Sequence, residues 1–119
     1  MSPKPSRGTK PLTSSVFYIL LALADNERHG LGIAADIAER TDGDVELGPG
    51  TLYSSMQKML DACLIEESNA PGSGKHDPRR RYYRITRLGR EALRAEAERL
   101  ERLVDTARDK HVLKTPRPA

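Results

Sequence analysis

The chain contains few cysteines and few aromatic residues. It has one cysteine, one phenylalanine and no tryptophan, and aromatic residues make up 4% of its 119 residues. A single cysteine excludes an internal disulfide and a cysteine-based metal site, and it fits a reducing compartment. The core must therefore be mostly aliphatic. In a chain with room for one domain such a core is marginally stable, so association into a dimer would help it.

Long hydrophobic runs and enzyme signatures are also missing. The apolar run at residues 16–24 is too short to cross a bilayer, and residues 1–11 are polar and contain three prolines, unlike a signal peptide. We expect a soluble cytoplasmic protein with no membrane partner. No phosphate loop, nucleophile elbow or paired-histidine motif is present, and His29, His76 and His111 lack metal-like spacing. An enzyme is disfavoured, and no cofactor or metal is expected.

Positive charge is segregated along the chain. The net charge is +3, yet residues 1–10 hold Lys4, Arg7 and Lys10 with no acid, and residues 75–90 hold seven cations against Asp77 alone. Acidic residues gather at residues 91–109. This segregation is typical of a protein with a polyanionic partner.

Residues 47–60 carry the pattern that we take as the organising element. Pro49 suits the first turn of a helix, and Gly48 is its expected cap. One face is apolar with helical spacing, and its members are Leu52, Met56, Met59, Leu60 and Cys63. The opposite face has little bulk and short polar groups, and its members are Gly50, Thr51, Ser54, Gln57 and Lys58, with Tyr53 on the flank.

The outer face of this helix has two readings. It is either an ordinary solvated face or a surface that contacts a phosphate or a base edge through Gly50, Thr51, Ser54 and Lys58. The Tyr53 hydroxyl would either hold a phosphate or satisfy the core.

Two further positions near this helix also leave alternatives open. His29 and Gly30 either present backbone N–H groups to a phosphate or form a packed glycine turn with His29 as polar surface. Cys63 is expected to be an inert thiol in the core, with a redox sensor as the weaker alternative.

The remaining pattern predicts three helices followed by a hairpin and a final helix. A first helix through residues 16–24, capped by one of residues 13–15, is apolar nearly all round, and a second spans residues 33–40. Residues 45–47 form at most a short strand. Strands at residues 64–68 and 80–86 flank a basic, glycine-rich tip, in which Arg81, Tyr83 and Ile85 face one side and Tyr82 and Arg84 the other. The cations of this hairpin proposed to touch DNA are Lys75, Arg79, Arg80 and Arg81; a merely solvated charge run is the alternative.

The last helix is predicted from a Thr86 cap to near His111. Its apolar positions step by four and three, which gives a heptad-like seam surrounded by charges that include Glu96. No partner helix is left in the chain, so we expect a second copy to cover it. The predicted dimer interface consists of Phe17, Leu21, Leu93, Ala97, Leu100, Val104 and Ala107. The expected domains are a disordered basic arm (1–11), a winged-helix domain (12–86), a dimerisation helix (87–111) and a flexible tail (112–119).

By these residues the chain resembles the PadR-like family of transcriptional regulators, over roughly residues 15–100. The resemblance lies in three groups of residues: Tyr18-Ile19-Leu20-Leu21-Ala22-Leu23, then His29-Gly30-Leu31-Gly32-Ile33, then Gly48-Pro49-Gly50-Thr51-Leu52-Tyr53. It continues through Leu60, Cys63-Leu64-Ile65 and Arg80-Arg81-Tyr82-Tyr83-Arg84-Ile85-Thr86-Arg87-Leu88-Gly89.

The resemblance implies a mainly α winged helix-turn-helix and a homodimer that binds double-stranded operator DNA, usually as a repressor. A small molecule often relieves repression in such proteins. If this chain has an effector, we expect an apolar or aromatic molecule near Phe17, Leu21, Leu100 and Val104, although these residues could simply form the dimer core. The rival function is a winged-helix module that docks a protein instead of DNA.

Overall fold

Four helices and a three-stranded antiparallel sheet make up the fold in a computed structural model, which describes residues 10–68 and 81–114. The helices are α1 (Ser14–Leu23), α2 (Gly30–Arg40), α3 (Pro49–Asp61) and α4 (Arg87–Asp109). The strands are β1 (Arg28–His29), β2 (Ile65–Ser68) and β3 (Tyr82–Ile85). The predicted mainly helical winged helix-turn-helix is confirmed.

Helix α1 lies at the centre of the core. Ile19, Leu20, Ala22 and Leu23 are buried in it, and α1 packs against α2, α3 and α4. The partners it meets are also aliphatic or Met side chains, among them Ile33, Ile37, Leu52, Met56 and Met59. An almost fully apolar helix is stable here because other elements cover most of its circumference.

Side chains cap three of the helices, and the capping residues are Thr13 for α1, His29 for α2 and Thr86 for α4. Thr13 accepts a hydrogen bond from the Val16 N–H at 3.2 Å, and Thr86 accepts one from the Gly89 N–H at 3.0 Å. Gly48 is the cap of α3, with Pro49 in its first turn. These three predictions are confirmed. Helix α2 begins at Gly30, three residues before the predicted start, because the His29 side chain caps it.

The sheet has one strand more than the predicted hairpin. Its order is β1-β3-β2, with Arg28 opposite Tyr83 and Ile65 opposite Ile85. Residues 28 and 29, for which the sequence predicted no strand, therefore pair with β3. A two-residue strand leaves no periodic pattern in the sequence, since it exists only through its pairing with β3. Residues 45–47, predicted as at most a short strand, have no regular structure.

Cys63 and Glu96 lie elsewhere than predicted, and β3 is buried on both of its faces. Cys63 is exposed, not buried, because α3 ends at Asp61 and the chain turns through a positive φ of 62° at Cys63. Tyr82 and Tyr83 are both buried, although successive strand residues face opposite sides, because both faces of β3 are covered. Glu96, predicted among the surface charges of α4, is buried with 5% of its surface exposed.

Candidate nucleic-acid interface

Helix α3 presents a polar face opposite its buried one. Leu52, Met56 and Met59 anchor it in the core. The residues predicted to touch DNA on this helix are all exposed, and they are Gly50, Thr51, Tyr53, Ser54 and Lys58. The face therefore offers two hydroxyls, a phenol and an ammonium group on a rigid helix, with no bulky side chain at Gly50 to hold a ligand away.

An open groove runs between this face and the start of α1. It has a volume of about 480 Å³, and its lining residues from α3 are Gly50, Thr51, Ser54, Ser55 and Lys58. Thr13, Ser15 and Val16 form the opposite wall. Ser55 was not predicted, although its spacing of four from Thr51 and three from Lys58 places it on their side of the helix.

Tyr53 lies over the first residue of α2. Gly30 is buried, and a Cβ atom built on it would lie 2.8 Å from Cζ of Tyr53 and still closer to the hydroxyl oxygen. The phenol nevertheless keeps 48% of its surface exposed. Both predicted roles of the Tyr53 hydroxyl, phosphate contact and a polar group that satisfies the core, stay predictions. The ring covers the first residue of α2, and of its atoms the hydroxyl oxygen lies nearest to the position of a Gly30 Cβ.

His29 belongs to the framework of this corner. Its Nδ1 accepts a hydrogen bond from the Gly32 N–H at 3.1 Å, and its ring meets the Tyr82 ring edge-to-face at 5.3 Å between centroids. The alternative in which His29 is merely polar surface is therefore wrong. Its cap joins α2 to the sheet, because the same ring contacts both elements.

The described part of the hairpin carries ion pairs between its strands. Arg81 lies 3.1 Å from Glu67, and Arg84 lies 2.7 Å from Glu66. The hydrogen bond to Glu66 raises the pKa of Arg84, and burial, followed by the charge of Glu67, raises the pKa of Tyr83. Arg81 is exposed beside the sheet, while Lys75, Arg79 and Arg80 lie outside the described residues.

An ion-pair cluster that the sequence did not indicate joins α1, β1 and α2. The Arg28 side chain donates to the Ala22 carbonyl at 2.7 Å and lies 3.4 Å from Asp36 and 3.3 Å from Asp25. Asp36 is buried and also pairs with Arg40 at 3.3 Å. Because Arg28 contacts both α1 and α2, the cluster holds the corner between them.

The residues predicted for the dimer interface occupy different environments. Leu21, Ala97 and Val104 are exposed, whereas Phe17, Leu93, Leu100 and Ala107 are half-buried in the single chain. Leu93 packs on the core. Leu103, which was not predicted, is 53% exposed beside Val104. The outer end of α4 thus carries adjacent uncovered aliphatic side chains.

Residues 10–68 and 81–114 contain neither a metal-ligand cluster nor a membrane-spanning helix. No group of three or more potential metal ligands occurs there. No helix in these ranges is long and apolar enough to cross a membrane.

The described elements define a winged helix-turn-helix protein, with α3 as the helix whose outer face is free of the core. The family model of the "Transcriptional regulator PadR-like family" matches residues 19–95, and the chain belongs to this family. It is a family of transcription regulators, not of enzymes. The predicted resemblance is confirmed.

Individual proteins agree with this assignment. A PadR family transcription regulator from Clostridium difficile R20291 has a similar structure, with a TM-score of 0.67 and 25% identity over 85% of this chain and 100% of that one.

Two curated relatives are described as uncharacterized. One, protein X from Lysinibacillus sphaericus, is 32% identical over 60% of this chain. The other, a 37.1 kDa protein in transposon TN4556 from Streptomyces fradiae, is 36% identical over 71% of this chain. The chain spans 64% and 22% of the lengths of these two proteins.

Proposed function

We propose that this chain is a DNA-binding transcriptional repressor that acts as a homodimer. The observation that carries the proposal is the exposed face of α3, where Gly50, Thr51, Ser54 and Lys58 stand together on a rigid helix. A helix of this kind fits the major groove, which admits an α-helix and exposes a distinct pattern of donors and acceptors for each base pair. The two hydroxyls and the ammonium group supply donors for base edges and phosphates.

Tyr53 and the start of α2 form a second contact with the same DNA. The exposed phenol lies over Gly30 at a helix N-terminus, where backbone N–H groups and the helix dipole favour a phosphate. His29 holds this end of α2 in place through its cap. We assign Tyr53 and His29 to backbone contact, which orients α3 without reading sequence, while the buried Gly30 acts by seating the Tyr53 ring.

The hairpin supplies the remaining charge. We assign Lys75, Arg79, Arg80 and Arg81 to phosphates beside the groove that α3 enters. Arg81 is paired with Glu67 at an exposed position, where such a pair is weak and exchanges readily for a phosphate.

The second copy is assigned to the outer side of α1 and α4. The uncovered residues Leu21, Leu103 and Val104 support this, because an apolar patch on a helix is typical of a partner surface. A two-fold dimer would place two copies of α3 about 34–36 Å apart, one turn of DNA. Light scattering on Val104→Glu should give a monomer, and Thr106→Glu, which adds the same charge at an exposed neighbouring site, should remain a dimer. A wild-type monomer at micromolar concentration would refute the dimer.

DNA binding is tested by fluorescence anisotropy with labelled duplexes over a series of salt concentrations. If a dimer meets six to eight phosphates, log affinity should fall with log salt at a slope of about −5 to −7. Selection from random duplex DNA then identifies the operator. A slope near zero, or no binding at low ionic strength, would refute the proposal.

The rival is a winged-helix module that binds a protein. Substituting Arg79, Arg80 and Arg81 together by Ala separates the two functions. Under our proposal DNA affinity falls uniformly across sequences, because phosphate contacts carry no sequence information. Unchanged DNA affinity in this variant would favour the protein-binding module.

An effector would act on the same dimer surface. We place an apolar or aromatic molecule near Phe17, Leu21, Leu100 and Val104, between the first and last helices of the two copies. A thermal-shift screen with phenolic and drug-like compounds should produce a stabilising hit that also lowers DNA affinity. Without such a hit, these four residues serve as dimer core alone.

A further inference from the structure

We propose that Gln57 reads an adenine in the DNA major groove and that Asp61 is the positioning residue that orients its amide. The proposal rests on the DNA-binding function proposed above and names a specificity-determining residue outside the contacts already assigned. Three properties of Gln57 carry it: its place on α3, its hydrogen bond to Asp61 and the chemistry of its amide.

Gln57 lies on the side of α3 that points directly away from the core. It stands two residues before the buried Met59, and two such residues are separated by about 200° around the helix axis. The same offset relates Ser54 to the buried Met56. Gln57 and Ser54 are both exposed and lie ~4.5 Å apart along the axis, a little more than the ~3.4 Å between successive base pairs. The ridge that they form is therefore the part of α3 that reaches deepest into a groove that the helix enters.

Side chains assigned to phosphates lie on both sides of this ridge. Tyr53 lies on the side of α2, over Gly30, and Lys58 lies on the side of the groove that it shares with Thr13. Around the axis Gln57 stands between them, about 40° from Tyr53 and about 100° from Lys58. A helix in the major groove has a phosphate backbone on each side and base edges between them. Gln57 therefore faces base edges.

Asp61 holds the amide of Gln57 in one orientation. Nε2 of Gln57 donates to Oδ1 of Asp61 at 3.1 Å, across one turn of the same helix. Because a carboxylate only accepts, the amide nitrogen and not the amide oxygen must face it. The amide has no second partner among the residues that the structure describes. One N–H and the carbonyl oxygen of Gln57 therefore remain for a ligand.

One donor and one acceptor side by side are the complement of adenine. In the major groove adenine presents an acceptor at N7 and a donor at N6, and a glutamine amide pairs with both atoms. Guanine presents two acceptors, N7 and O6, so its O6 would oppose the Gln57 carbonyl. Thymine offers an acceptor and a methyl group, and cytosine offers a donor alone. The oriented amide therefore favours adenine over the other three bases.

The test uses the full chain and a binding site selected from random duplex DNA with the wild type. Labelled duplexes then carry each of the four base pairs in turn at every position of that site. Fluorescence anisotropy gives the affinity of wild type, Gln57→Ala and the matched control Lys58→Ala for each duplex. Lys58 is the adjacent exposed residue and is assigned to a phosphate, so its loss should weaken binding to all of the duplexes alike.

We expect wild type to prefer adenine at one position of each half-site by about tenfold, as a bidentate contact does. Gln57→Ala should lose this preference and retain the preferences at the other positions. Unchanged preferences in Gln57→Ala would overturn the inference. So would an equal loss of affinity for all duplexes, which indicates phosphate contact, or the loss of a preference for a base other than adenine. If wild type binds no duplex, the proposed function fails instead, so the two failures are distinguishable.

Two substitutions at Asp61 test its positioning role. In Asp61→Asn the side-chain carbonyl can still accept from Gln57, whereas Asp61→Ala removes the acceptor. We expect Asn to keep the adenine preference. Ala should reduce it about threefold or more at the position that Gln57→Ala affects, because a freed amide must be ordered on binding and can also turn to donate to guanine.

The ratio of affinities for the four duplexes separates this role from two others. A merely structural role of Asp61 would lower the melting temperature of Asp61→Ala and leave the ratio unchanged, which would overturn the positioning role. A lost preference for cytosine would show that the Asp61 carboxylate contacts DNA itself, and it would overturn that role as well. Asp61 is exposed, so both variants should fold.

Discussion

Gly30 lies directly beneath the ring of Tyr53, so closely that a Cβ atom at residue 30 would overlap the phenol hydroxyl. The contact joins the first residue of α2 to the exposed flank of α3. It leaves the phenol half exposed, at the point where a helix N-terminus meets the surface. The close approach of the Tyr53 side chain, and not a positive φ, favours glycine at residue 30.

We predict that Gly30→Ala lowers DNA affinity without unfolding the protein. The added methyl group displaces the end of a flexible, half-exposed side chain, which costs little stability, but it moves the hydroxyl away from the phosphate. Losing a hydrogen bond to a charged group should weaken binding about tenfold or more. In a double-mutant cycle with Tyr53→Ala, the second substitution should add little to the first. Additive losses would show that Gly30 does not act through Tyr53.

Two other glycines should respond in opposite ways to the same substitution. A Cβ at Gly89 would overlap the Leu64 carbonyl oxygen and lie 2.9 Å from Cγ1 of Ile85. That carbonyl accepts the Thr86 N–H at 3.0 Å, and the Thr86 hydroxyl lies 2.6 Å from the neighbouring Cys63 carbonyl oxygen, so the Leu64 carbonyl cannot yield without disturbing the cap of α4. Gly50 has nothing within 4 Å of its Cβ position.

We therefore predict that Gly89→Ala lowers the free energy of unfolding by about 1–3 kcal/mol or more. Gly50→Ala should leave it unchanged or raise it by up to about 1 kcal/mol through helix propensity. Urea denaturation followed by circular dichroism measures both. Equal stability of the two variants would contradict the close packing of Gly89 in α4 against the Leu64 carbonyl.

Lys58 should contribute one phosphate contact. Lys58→Ala is expected to reduce the magnitude of the salt slope by about 1 per chain and to weaken binding to all sequences alike. Lys110→Ala at the end of α4 removes the same charge and is the matched control. A sequence-dependent loss in Lys58→Ala would indicate base contact instead of phosphate contact.

Stability should fall in acid through Glu96. Its pKa in the fold is lowered, first by the hydrogen bond from Arg99, so the carboxylate stabilises the fold above the unfolded pKa, near 4.3. This contribution is lost as pH falls through the lower folded pKa. Thermal melts of wild type and Glu96→Gln from pH 6 to pH 3 should therefore converge at the acid end. A constant difference would show that Glu96 is not stabilised in its charged form.

Local signals along the chain were sufficient for the caps of α1, α3 and α4, whereas the His29 cap of α2 was not predicted. Thr13, Gly48 and Thr86 act within three or four residues of themselves, so the sequence around each one determines the helix start. The spacing of Leu52, Met56 and Met59 likewise determined which face of α3 is buried and which polar residues remain outside.

Tertiary structure alone decided the features that depend on distant partners. Strand β1 forms because β3 lies beside it, and Tyr82 is buried because the ring of His29 covers it. The burial of the Glu96 carboxylate is compensated by a hydrogen bond from Leu12, 84 positions away in the chain. Periodicity counts neighbours on one element, whereas these three outcomes depend on contacts between elements, and no pattern within a single segment records them.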